Sequence, residues 1–123
     1  MRQPPSQNRD PSHSRNLLVA RGEVWLAALD PTVGSEIQKT RPCVVVSPPE
    51  LHDHLRTVIA APMTTGSRPA PYRVRVTFRR QGGLILLDRL RALDKQRLVR
   101  RLGAVDGRVL GQALAVLREM FEE

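Results

Sequence analysis

The chain has 123 residues, of which 41% are hydrophobic and 26% charged, and this composition is typical of one globular domain. No stretch approaches the roughly 18–20 apolar residues of a membrane helix, no secretory signal is evident, and the single cysteine excludes an internal disulfide. We therefore expect a cytoplasmic protein that makes no contact with a membrane. The net charge of +8 favours a polyanionic partner such as nucleic acid.

Residues 1–16 differ in composition from the remainder of the chain. They contain three prolines and three serines, and Met1 is their only large aliphatic side chain. Such a segment buries too little apolar surface to offset the entropy lost on ordering. We predict a mobile tail over residues 1–16 and a single domain over residues 17–123.

The first part of the predicted domain alternates β-rich runs with polar or proline-containing segments. Residues 42–47 form an apolar run that ends at two prolines and predicts a buried strand. Pro62 indicates the end or the edge of a later strand, because proline cannot donate to a ladder. In chain order we predict a strand at 21–29, a loop at 30–41, a strand at 42–47, a short helical turn at 50–56, a strand at 57–63 and a loop at 64–71.

The segment 72–79 has the clearest pattern in the chain, a strict alternation that is typical of a half-buried strand. Every second residue is apolar, and the residues between them are polar or basic. The predicted core face carries Tyr72, Val74, Val76 and Phe78, and the opposite face carries Arg73, Arg75, Thr77 and Arg79.

The last third of the chain predicts a turn at 81–83, strands at 84–90 and 98–102 and a closing helix. Asp106 is the predicted N-cap of that helix. Several short strands followed by one helix indicate a mainly β domain of the α+β class, a small antiparallel sheet or barrel with a helix packed on it. The helical spacing predicts an apolar face formed by Leu110, Ala113, Leu114, Leu117 and Phe121.

Two sets of residues that could bind a metal or act as a nucleophile are better explained by a structural role. His52 and His54 lack a nearby third ligand, so we interpret them as exposed polar histidines on a short helix or loop. Cys43 begins an apolar strand, which favours a buried small hydrophobe over a nucleophile. The sequence contains no glycine-rich phosphate loop, GxSxG, HExxH or CxxC motif. We expect no metal and no cofactor.

The loop at 30–41 is the strongest candidate for a site, because it concentrates polar groups immediately before a buried strand. Arg41 precedes a proline, which biases its backbone toward an extended conformation and suits a cation aimed at a phosphate. The alternative is a solvated loop in which Arg41 forms a salt bridge to Glu36. Thr64 and Thr65 approach Arg41 if their strands pair. The polar side chains of the loop include Ser35, Glu36, Gln38, Lys39, Thr40 and Arg41.

Three segments in this order resemble the MazF/PemK family of toxin endoribonucleases: RGEVWLAALDPTVGSEIQKTRPCVVVSP, VIAAPMTT and LILLDRLRALDKQRL. The resemblance covers about residues 20–121. It implies a small, SH3-like, twisted antiparallel β-barrel with a C-terminal helix. It also implies a homodimer that cuts single-stranded RNA at short motifs without a metal and leaves a 2′,3′-cyclic phosphate and a 5′-hydroxyl. The implied partner is an antitoxin whose acidic, disordered tail blocks the site.

By position, the resemblance places the family's catalytic arginine at Arg41 and its catalytic threonine at Thr64. Ser35 and Glu36 lie beside the scissile phosphate in that picture, and Glu36 is the candidate base or orients Arg41. One branch of the family has a histidine at the position of Ser35 and an arginine at the position of Leu86. Neither is present here, so a mechanism that needs that histidine as base is not available.

Basic side chains predict an RNA groove beside this site. A row of Arg73, Arg75 and Arg79 on one strand face would space cations about 6–7 Å apart, near the spacing of an extended single strand. The alternative is an ordinary solvated strand face. Asp88 matches an acidic residue of the family, whereas Arg89 replaces its usual glutamine and affects the preferred cleavage motif. The predicted substrate-binding residues are Ser35, Gln38, Lys39, Thr40, Thr65, Arg73, Arg75, Asp88 and Arg89.

Two other functions of the same fold remain as alternatives. A gyrase-poisoning toxin predicts a bulky apolar C-terminal anchor, whereas REMFEE is a helix end. A non-catalytic module that binds nucleic acid or an antitoxin would have lost its catalytic residues, whereas Arg41 and Thr64 are both present. We therefore predict a metal-independent endoribonuclease that acts by transesterification through the 2′-hydroxyl.

Overall fold

A curled antiparallel sheet with a C-terminal helix is the framework of the computed structural model, which describes residues 18–29 and 39–123. Two single-turn 3₁₀ segments, Leu87–Arg89 and Lys95–Arg97, interrupt its second half. The strands are β1 (Glu23–Ala28), β2 (Thr40–Val45), β3 (Thr57–Thr64), β4 (Arg73–Phe78), β5 (Gln81–Leu86), β6 (Arg91–Asp94) and β7 (Leu98–Ala104), and the helices are α1 (Pro49–His52) and α2 (Gly107–Met120).

The strand order is β4-β5-β3-β2-β1-β7, and β6 pairs with β3 beside β5. The two ends of this order meet because the sheet curls. Phe78 at the end of β4 packs against Gly103 of β7, where a Cβ would lie 3.1 Å from the Phe78 ring. Next to this contact the Arg79 guanidinium donates to the Leu102 carbonyl. The predicted fold, a small antiparallel barrel-like sheet with a C-terminal helix, is confirmed.

Two apolar clusters lie on opposite faces of β1 and β2. Val24 and Val44 belong to the cluster covered by α2, whereas Trp25, Cys43 and Val45 belong to the other. The continuous apolar run of β2 follows from this arrangement, because a strand buried on both faces does not alternate. The burial predicted for this strand is confirmed, although the strand begins at Thr40 rather than at Pro42.

Helix α2 begins where the sequence predicts. The Asp106 carboxylate accepts a hydrogen bond from Val109 N at 2.9 Å and caps the helix. Leu114 and Leu117 pack on the cluster that contains the fully buried Ala113. The prediction that Phe121 belongs to the apolar face of this helix is wrong, because the helix ends at Met120 and the Phe121 side chain is 73% exposed.

The prediction of a turn at 81–83 is wrong. Gln81 pairs with Phe78 at the start of β5, so the turn consists of Arg79 and Arg80. Both have positive φ values, 52° and 68°, as a two-residue hairpin turn with the right-handed twist of its strands requires. Arg79 therefore lies beyond the strand and not on its face.

The prediction that Pro62 marks a strand end or edge is also wrong. Pro62 is buried inside β3 and pairs with Cys43 of β2. On its other side β3 changes partner, since residues 57–60 pair with β6 and residues 63–64 pair with β5. Proline, which lacks an N–H, is tolerated here because it lies between these two ladders.

A hydrogen-bonded cluster anchors the start of the described chain. Glu23 accepts hydrogen bonds from Ala20 N, from the indole of Trp25 at 3.0 Å and from Arg101 at 2.8 Å. Burial alone raises the pKa of the Glu23 carboxyl, but the hydrogen bonds from Ala20, Arg101 and Trp25 outweigh it and hold the pKa below its usual value. Trp25 itself is 7% exposed and belongs to the apolar cluster that also contains Cys43 and Val45.

Within residues 18–29 and 39–123, none of the helices is long and apolar enough to cross a membrane. The tail predicted for residues 1–16 and the loop residues 30–38 lie outside the described part of the chain.

Candidate active site

Arg41 and Thr64 come together because β2 and β3 are antiparallel neighbours. Arg41 is the second residue of β2, and Thr64 is the last residue of β3. The register pairs Cys43 with Pro62, and two further residues along it Arg41 is level with Thr64. Both residues line one surface cavity of about 340 Å³. The structure thus brings two of the three predicted catalytic residues to one place.

Thr64 is held from two directions. Its Oγ1 accepts a hydrogen bond from Gly66 N at 3.3 Å, so the hydroxyl hydrogen is available for donation to another group. On the other side, a Cβ at Gly83 would lie only 2.5 Å from the Thr64 carbonyl oxygen. A side chain does not fit between β5 and the end of β3, so the glycine allows the close approach that fixes the Thr64 backbone.

A second cavity of about 420 Å³ lies on the other side of Arg41. Its lining includes four basic residues, and no carboxylate of the described residues takes part in it. Pro62 and Leu86 form part of its apolar wall. Such a cavity favours an anion, and it extends the positive charge from Arg41 across the sheet. The four basic residues are Lys39, Arg41, Arg89 and Arg91.

Cys43 lies beneath these cations and is 1% exposed. Burial raises the pKa of its thiol to about 12, although the positive charges of Arg41 and Arg91 act in the opposite direction. A thiol with this pKa is protonated at neutral pH and is a poor nucleophile. The prediction that Cys43 is a buried small hydrophobe is confirmed.

Arg73 is engaged by a neighbouring carboxylate. Its guanidinium donates to both carboxylate oxygens of Asp88, at 3.1 and 3.0 Å, and to the Arg68 carbonyl at 3.1 Å. The hydrogen bonds from Arg73 hold the pKa of the Asp88 carboxyl below its usual value. Arg73 and Asp88 therefore form one bidentate unit rather than two independent binding groups.

The predicted row of three arginines on β4 does not form. Arg79 lies in the turn, donates to the Leu102 carbonyl and sits 5.6 Å from the centre of the Phe78 ring. Arg73 is held by Asp88. Arg75 remains on the exposed face of β4 and, with Thr65, lines a shallow depression next to the 340 Å³ cavity.

The other predicted binding residues lie in different places. Lys39, Thr40 and Arg89 line the 420 Å³ cavity together with Arg41, and Thr65 lines the 340 Å³ cavity. The remaining predictions, Ser35, Glu36 and Gln38, lie outside the described residues, as does the alternative salt bridge of Arg41 to Glu36.

The prediction that His52 is exposed is wrong. The ring is 0% exposed, with Nδ1 2.9 Å from Ser47 Oγ and Nε2 2.6 Å from the Val19 carbonyl oxygen. The carbonyl can only accept, so Nε2 carries a hydrogen, and in the neutral imidazole Nδ1 accepts from the serine hydroxyl. The buried Lys95 ammonium donates to the His52 carbonyl. We call this group of Val19, Ser47, His52 and Lys95 the His52 corner.

The His52 corner explains part of the segment LILLDRLRALDKQRL, residues 84–98, which we call the late block. Besides Lys95, the Asp94 carboxylate caps the 3₁₀ turn by accepting from Gln96 N at 2.8 Å. Arg97 donates to the Ala28 carbonyl at 3.1 Å and so joins the turn to β1. These residues hold the sheet together. Among the described residues, no three His, Cys, Asp or Glu side chains are placed to share a metal ion.

The sequence profile described as PemK-like, MazF-like toxin of type II toxin–antitoxin system matches residues 20–121. The chain belongs to this family. Endoribonuclease PemK of Escherichia coli is 35% identical to it over 105 residues, which are 80% of this chain and 79% of that protein. Endoribonuclease EndoA of Bacillus subtilis is 33% identical over 100 residues, which are 76% of this chain and 86% of that protein.

The fold of this toxin-family chain is also that of solved relatives. A MazE–MazF complex from Deinococcus radiodurans has a TM-score of 0.73 at 24% identity, over 85% of this chain and 96% of that chain. The family resemblance and the fold class predicted from the sequence are both confirmed.

Gln81, Gly83 and Arg91 line these cavities although the predictions from sequence give them no functional role. Gln81 and Gly83 belong to the predicted turn, and Arg91 lies in the late block without an assigned function. A glycine inside a strand often marks a close backbone approach, and that signal could have identified Gly83. For Gln81 and Arg91 the sequence holds no comparable signal, because their positions depend on how β5 and β6 flank β3.

Proposed function

We propose that this chain is the toxin of a toxin–antitoxin module and that it cuts single-stranded RNA at short motifs without a metal. The observation that carries the proposal is the position of Arg41 beside Thr64 in one cavity, in a chain whose curated relatives are named endoribonucleases. The two flanking cavities can accept nucleotides on either side of a phosphate bound between these residues.

The proposed reaction is an internal transesterification. The 2′-oxygen loses its proton to a base and forms a bond to phosphorus, the bond from phosphorus to the 5′-oxygen breaks, and the 5′-oxygen receives a proton. The products are a 2′,3′-cyclic phosphate and a 5′-hydroxyl. The negative charge on the phosphorane oxygens grows during this step, so donors that are fixed beforehand lower the barrier.

Arg41 is the proposed donor to the phosphorane. Its guanidinium offers a planar fork that can bind two phosphate oxygens, and it stays protonated throughout. Thr64 adds one hydroxyl donor, which its contact with Gly66 N leaves available. Because a guanidinium is a poor base, we assign the proton transfer from the 2′-hydroxyl to Glu36, the carboxylate that precedes Arg41 most closely in the sequence.

The natural inhibitor is proposed to be a cognate antitoxin with an acidic, disordered tail. The cavity that contains Lys39, Arg41, Arg89 and Arg91, with no carboxylate among its described lining residues, supports this proposal, because an acidic segment complements it in charge. An acidic segment bound there would cover Arg41 and prevent RNA from reaching it. The proposed location is the cytoplasm, where transcripts and antitoxin are both present.

The active form is proposed to be a homodimer. Phe121 is 73% exposed at the rim of an apolar groove of about 430 Å³ to which Leu114 and Leu117 contribute. Contact with a second copy would remove this apolar surface from water. Sedimentation equilibrium of the wild type and of Phe121→Ser tests the assembly. A dimer weakened by the substitution is the expected result, and a monomeric wild type contradicts it.

The test of the function is end mapping on a long single-stranded RNA in the presence of EDTA. We expect discrete cuts that carry cyclic phosphate ends and that disappear with Arg41→Ala. Cuts that require a divalent cation would contradict the proposed chemistry. Salt-sensitive RNA binding without any cleavage would identify a binding module instead.

A further inference from the structure

We propose that Lys39 is an acylation site and that small acyl phosphates, bound in the 420 Å³ cavity, are the acyl donors. The sequence has two lysines, Lys39 and Lys95, and the structure places them in opposite environments. Arginine is not a competing target, because its guanidinium stays protonated. This site and its chemistry go beyond the proposed cleavage of RNA, and only their consequence for RNA rests on that function.

Lys95 is protected from reagents by the fold. It is 4% exposed, and its ammonium donates to the His52 carbonyl inside the His52 corner. An acyl donor reaches this amine only when the corner opens. Lys39, by contrast, is exposed immediately before the first residue of β2. Of the two lysine amines, the folded chain therefore offers only that of Lys39.

The cavity beside Lys39 collects positive charge from two sides of β3. Lys39 lies two residues before Arg41, a spacing that puts side chains on one side of an extended chain, and both line the cavity. Arg89 and Arg91 line it from the 3₁₀ segment and the start of β6. All four are exposed, and no carboxylate of the described residues lines the cavity with them. This arrangement attracts a phosphate group.

The same cavity has an apolar wall, formed by Leu29, Pro62 and Leu86. The register of β1 and β2, continued by one residue, puts Leu29 level with Lys39. An acyl phosphate joins a charged phosphate to an apolar chain, so it matches both parts of the lining. The volume of 420 Å³ lies toward the lower end of the range of about 300–1,000 Å³ for small-ligand sites. The cavity therefore fits a small acyl donor better than a bulky acyl carrier.

The proposed step transfers the acyl group from oxygen to nitrogen. The Lys39 ammonium first gives one proton to water, and the nitrogen then forms a bond to the carbonyl carbon of the acyl phosphate. The bond from that carbon to the phosphate oxygen breaks, and phosphate leaves with the electron pair and takes the second proton from the nitrogen. The neighbouring guanidiniums stabilise the charge that grows on the departing phosphate.

Acylation of Lys39 changes the charge of the cavity. The amide product is neutral, so one cation is lost two residues from Arg41, and the acyl group occupies space beside it. Under the proposed function, RNA then binds more weakly. We expect the slope of log K against log salt to become shallower by about 0.7, the value of one phosphate contact on a single strand.

The test treats the purified full chain with acetyl phosphate or with acetic anhydride, an acyl donor that has no phosphate. Peptide mass spectrometry gives the acetylation rate of Lys39 relative to that of the α-amino group in the same sample. We expect this ratio to be higher with acetyl phosphate than with the anhydride, and to fall when inorganic phosphate competes for the cavity. Lys95 is expected to stay unmodified until urea unfolds the chain.

Two variants separate the roles of the cavity and the amine. Arg91→Gln leaves Lys39 in place but removes one cation, so the ratio with acetyl phosphate is expected to fall about two- to fivefold. Arg100→Gln, exposed on β7 and outside the cavity, is the matched control and is expected to keep the ratio of the wild type. Lys39→Arg keeps the positive charge without an amine. We expect acetyl phosphate to leave its RNA affinity equal to that of its own untreated sample.

Each outcome decides a different part of the proposal. Equal ratios for the two acyl donors, or a ratio that Arg91→Gln does not change, would overturn the acyl phosphate site. Acetylation of Lys95 as fast as that of Lys39 in the folded chain would overturn the choice of one accessible lysine. RNA affinity that is unchanged by acetylation would overturn the consequence for RNA. A wild type that neither binds nor cuts RNA would overturn the proposed function, while the mass spectra would still decide the acylation site.

Discussion

Two polar regions of the same sheet use their side chains in opposite ways. In the His52 corner, the imidazole, the Ser47 hydroxyl and the Lys95 ammonium all have partners inside the protein. At the Arg41–Thr64 edge, the beginning of β2 and the end of β3 present an exposed guanidinium and a hydroxyl to open cavities. The first region stabilises the fold, and the second is available to a ligand.

The difference shows that burial, and not residue type, separates structural from functional polar groups here. A pair of histidines can indicate a metal or catalytic site. Both ring nitrogens of His52, however, have hydrogen-bond partners inside the protein. A buried polar group without partners is costly, so such groups are matched when a protein folds. Exposed cations such as Arg41 carry no such requirement and are available to an anionic ligand.

The largest expected effect on stability is that of His52→Ala. It removes two buried hydrogen bonds, leaves the Val19 carbonyl and the Ser47 hydroxyl without that partner, and creates a cavity. We expect the free energy of unfolding to fall by about 2–4 kcal/mol. Urea denaturation measures it, and the exposed His54→Ala is the matched control with an expected change within about 0.5 kcal/mol. Equal stabilities of the two variants would contradict the structural role of the corner.

The next largest expected effect is that of Gly83→Ala on the Arg41–Thr64 edge, where Gly83 allows β5 to approach Thr64. Gly83→Ala introduces a Cβ that would lie 2.5 Å from the Thr64 carbonyl oxygen, so β5 and the end of β3 must separate. We expect the cleavage rate under single-turnover conditions to fall about 10- to 100-fold, because a small misplacement of a catalytic group has this effect. Gly111→Ala, in α2 and outside the two cavities, meets no atom within 4 Å; it is the control and is expected to cut like the wild type. A wild-type rate for Gly83→Ala would show that the approach does not position Thr64.

Glu23 gives a smaller effect that depends on pH. The folded-state pKa of its carboxyl is lowered, so the ionised group stabilises the fold above the pKa of the unfolded chain, and this contribution is lost as the pH falls through the folded-state pKa. Glu23→Gln is expected to cost about 1 kcal/mol at pH 7. Urea titrations across the acid range should show the difference between the two proteins shrinking as the pH falls through the lowered pKa of Glu23. A constant difference at all pH values would contradict the role of the charge.

The smallest expected effect is that of Asp88→Asn on RNA binding. The substitution removes a negative charge and weakens the hold on Arg73, which can then contact a phosphate. We expect affinity to rise about two- to threefold, by less than about 1 kcal/mol, and the slope of log K against log salt to steepen by at most about 0.7. Fluorescence anisotropy over a salt series measures both. Glu50→Gln, at an exposed position of α1, is the control for a general charge effect. An affinity gain no greater than that of the control would show that Arg73 does not reach the RNA.

Much of the fold could be predicted because it rests on local patterns. The alternation in β4, the apolar run of β2 and the Asp106 cap are visible in the residues themselves. The Arg79–Arg80 turn was not predictable from composition, because neither residue is a glycine or asparagine, whereas Gly82 and Gly83 mimic a turn signal. In the structure, position 83 requires glycine because the Thr64 carbonyl oxygen would lie 2.5 Å from a Cβ there, and Thr64 belongs to a strand that is far away in the sequence.

The candidate site could likewise be predicted only in part. Arg41 and Thr64 were recognisable through the family motifs and the expectation that their strands pair. The pairing of Arg73 with Asp88, the burial of His52 and the place of Gln81 beside Arg41 arise from contacts between segments far apart in the sequence. No pattern of neighbouring residues encodes these contacts, because they depend on the register and curl of the sheet.

We propose that the exposed Arg41 performs chemistry and does not hold the fold. The most direct test measures single-turnover cleavage of a single-site RNA and urea unfolding on the same preparation of Arg41→Ala, with the exposed Arg100→Ala as the matched control. We expect a rate about 10²–10³-fold lower than wild type for Arg41→Ala, with an unchanged free energy of unfolding. A wild-type cleavage rate, or a loss of rate that merely follows a loss of stability, would contradict it.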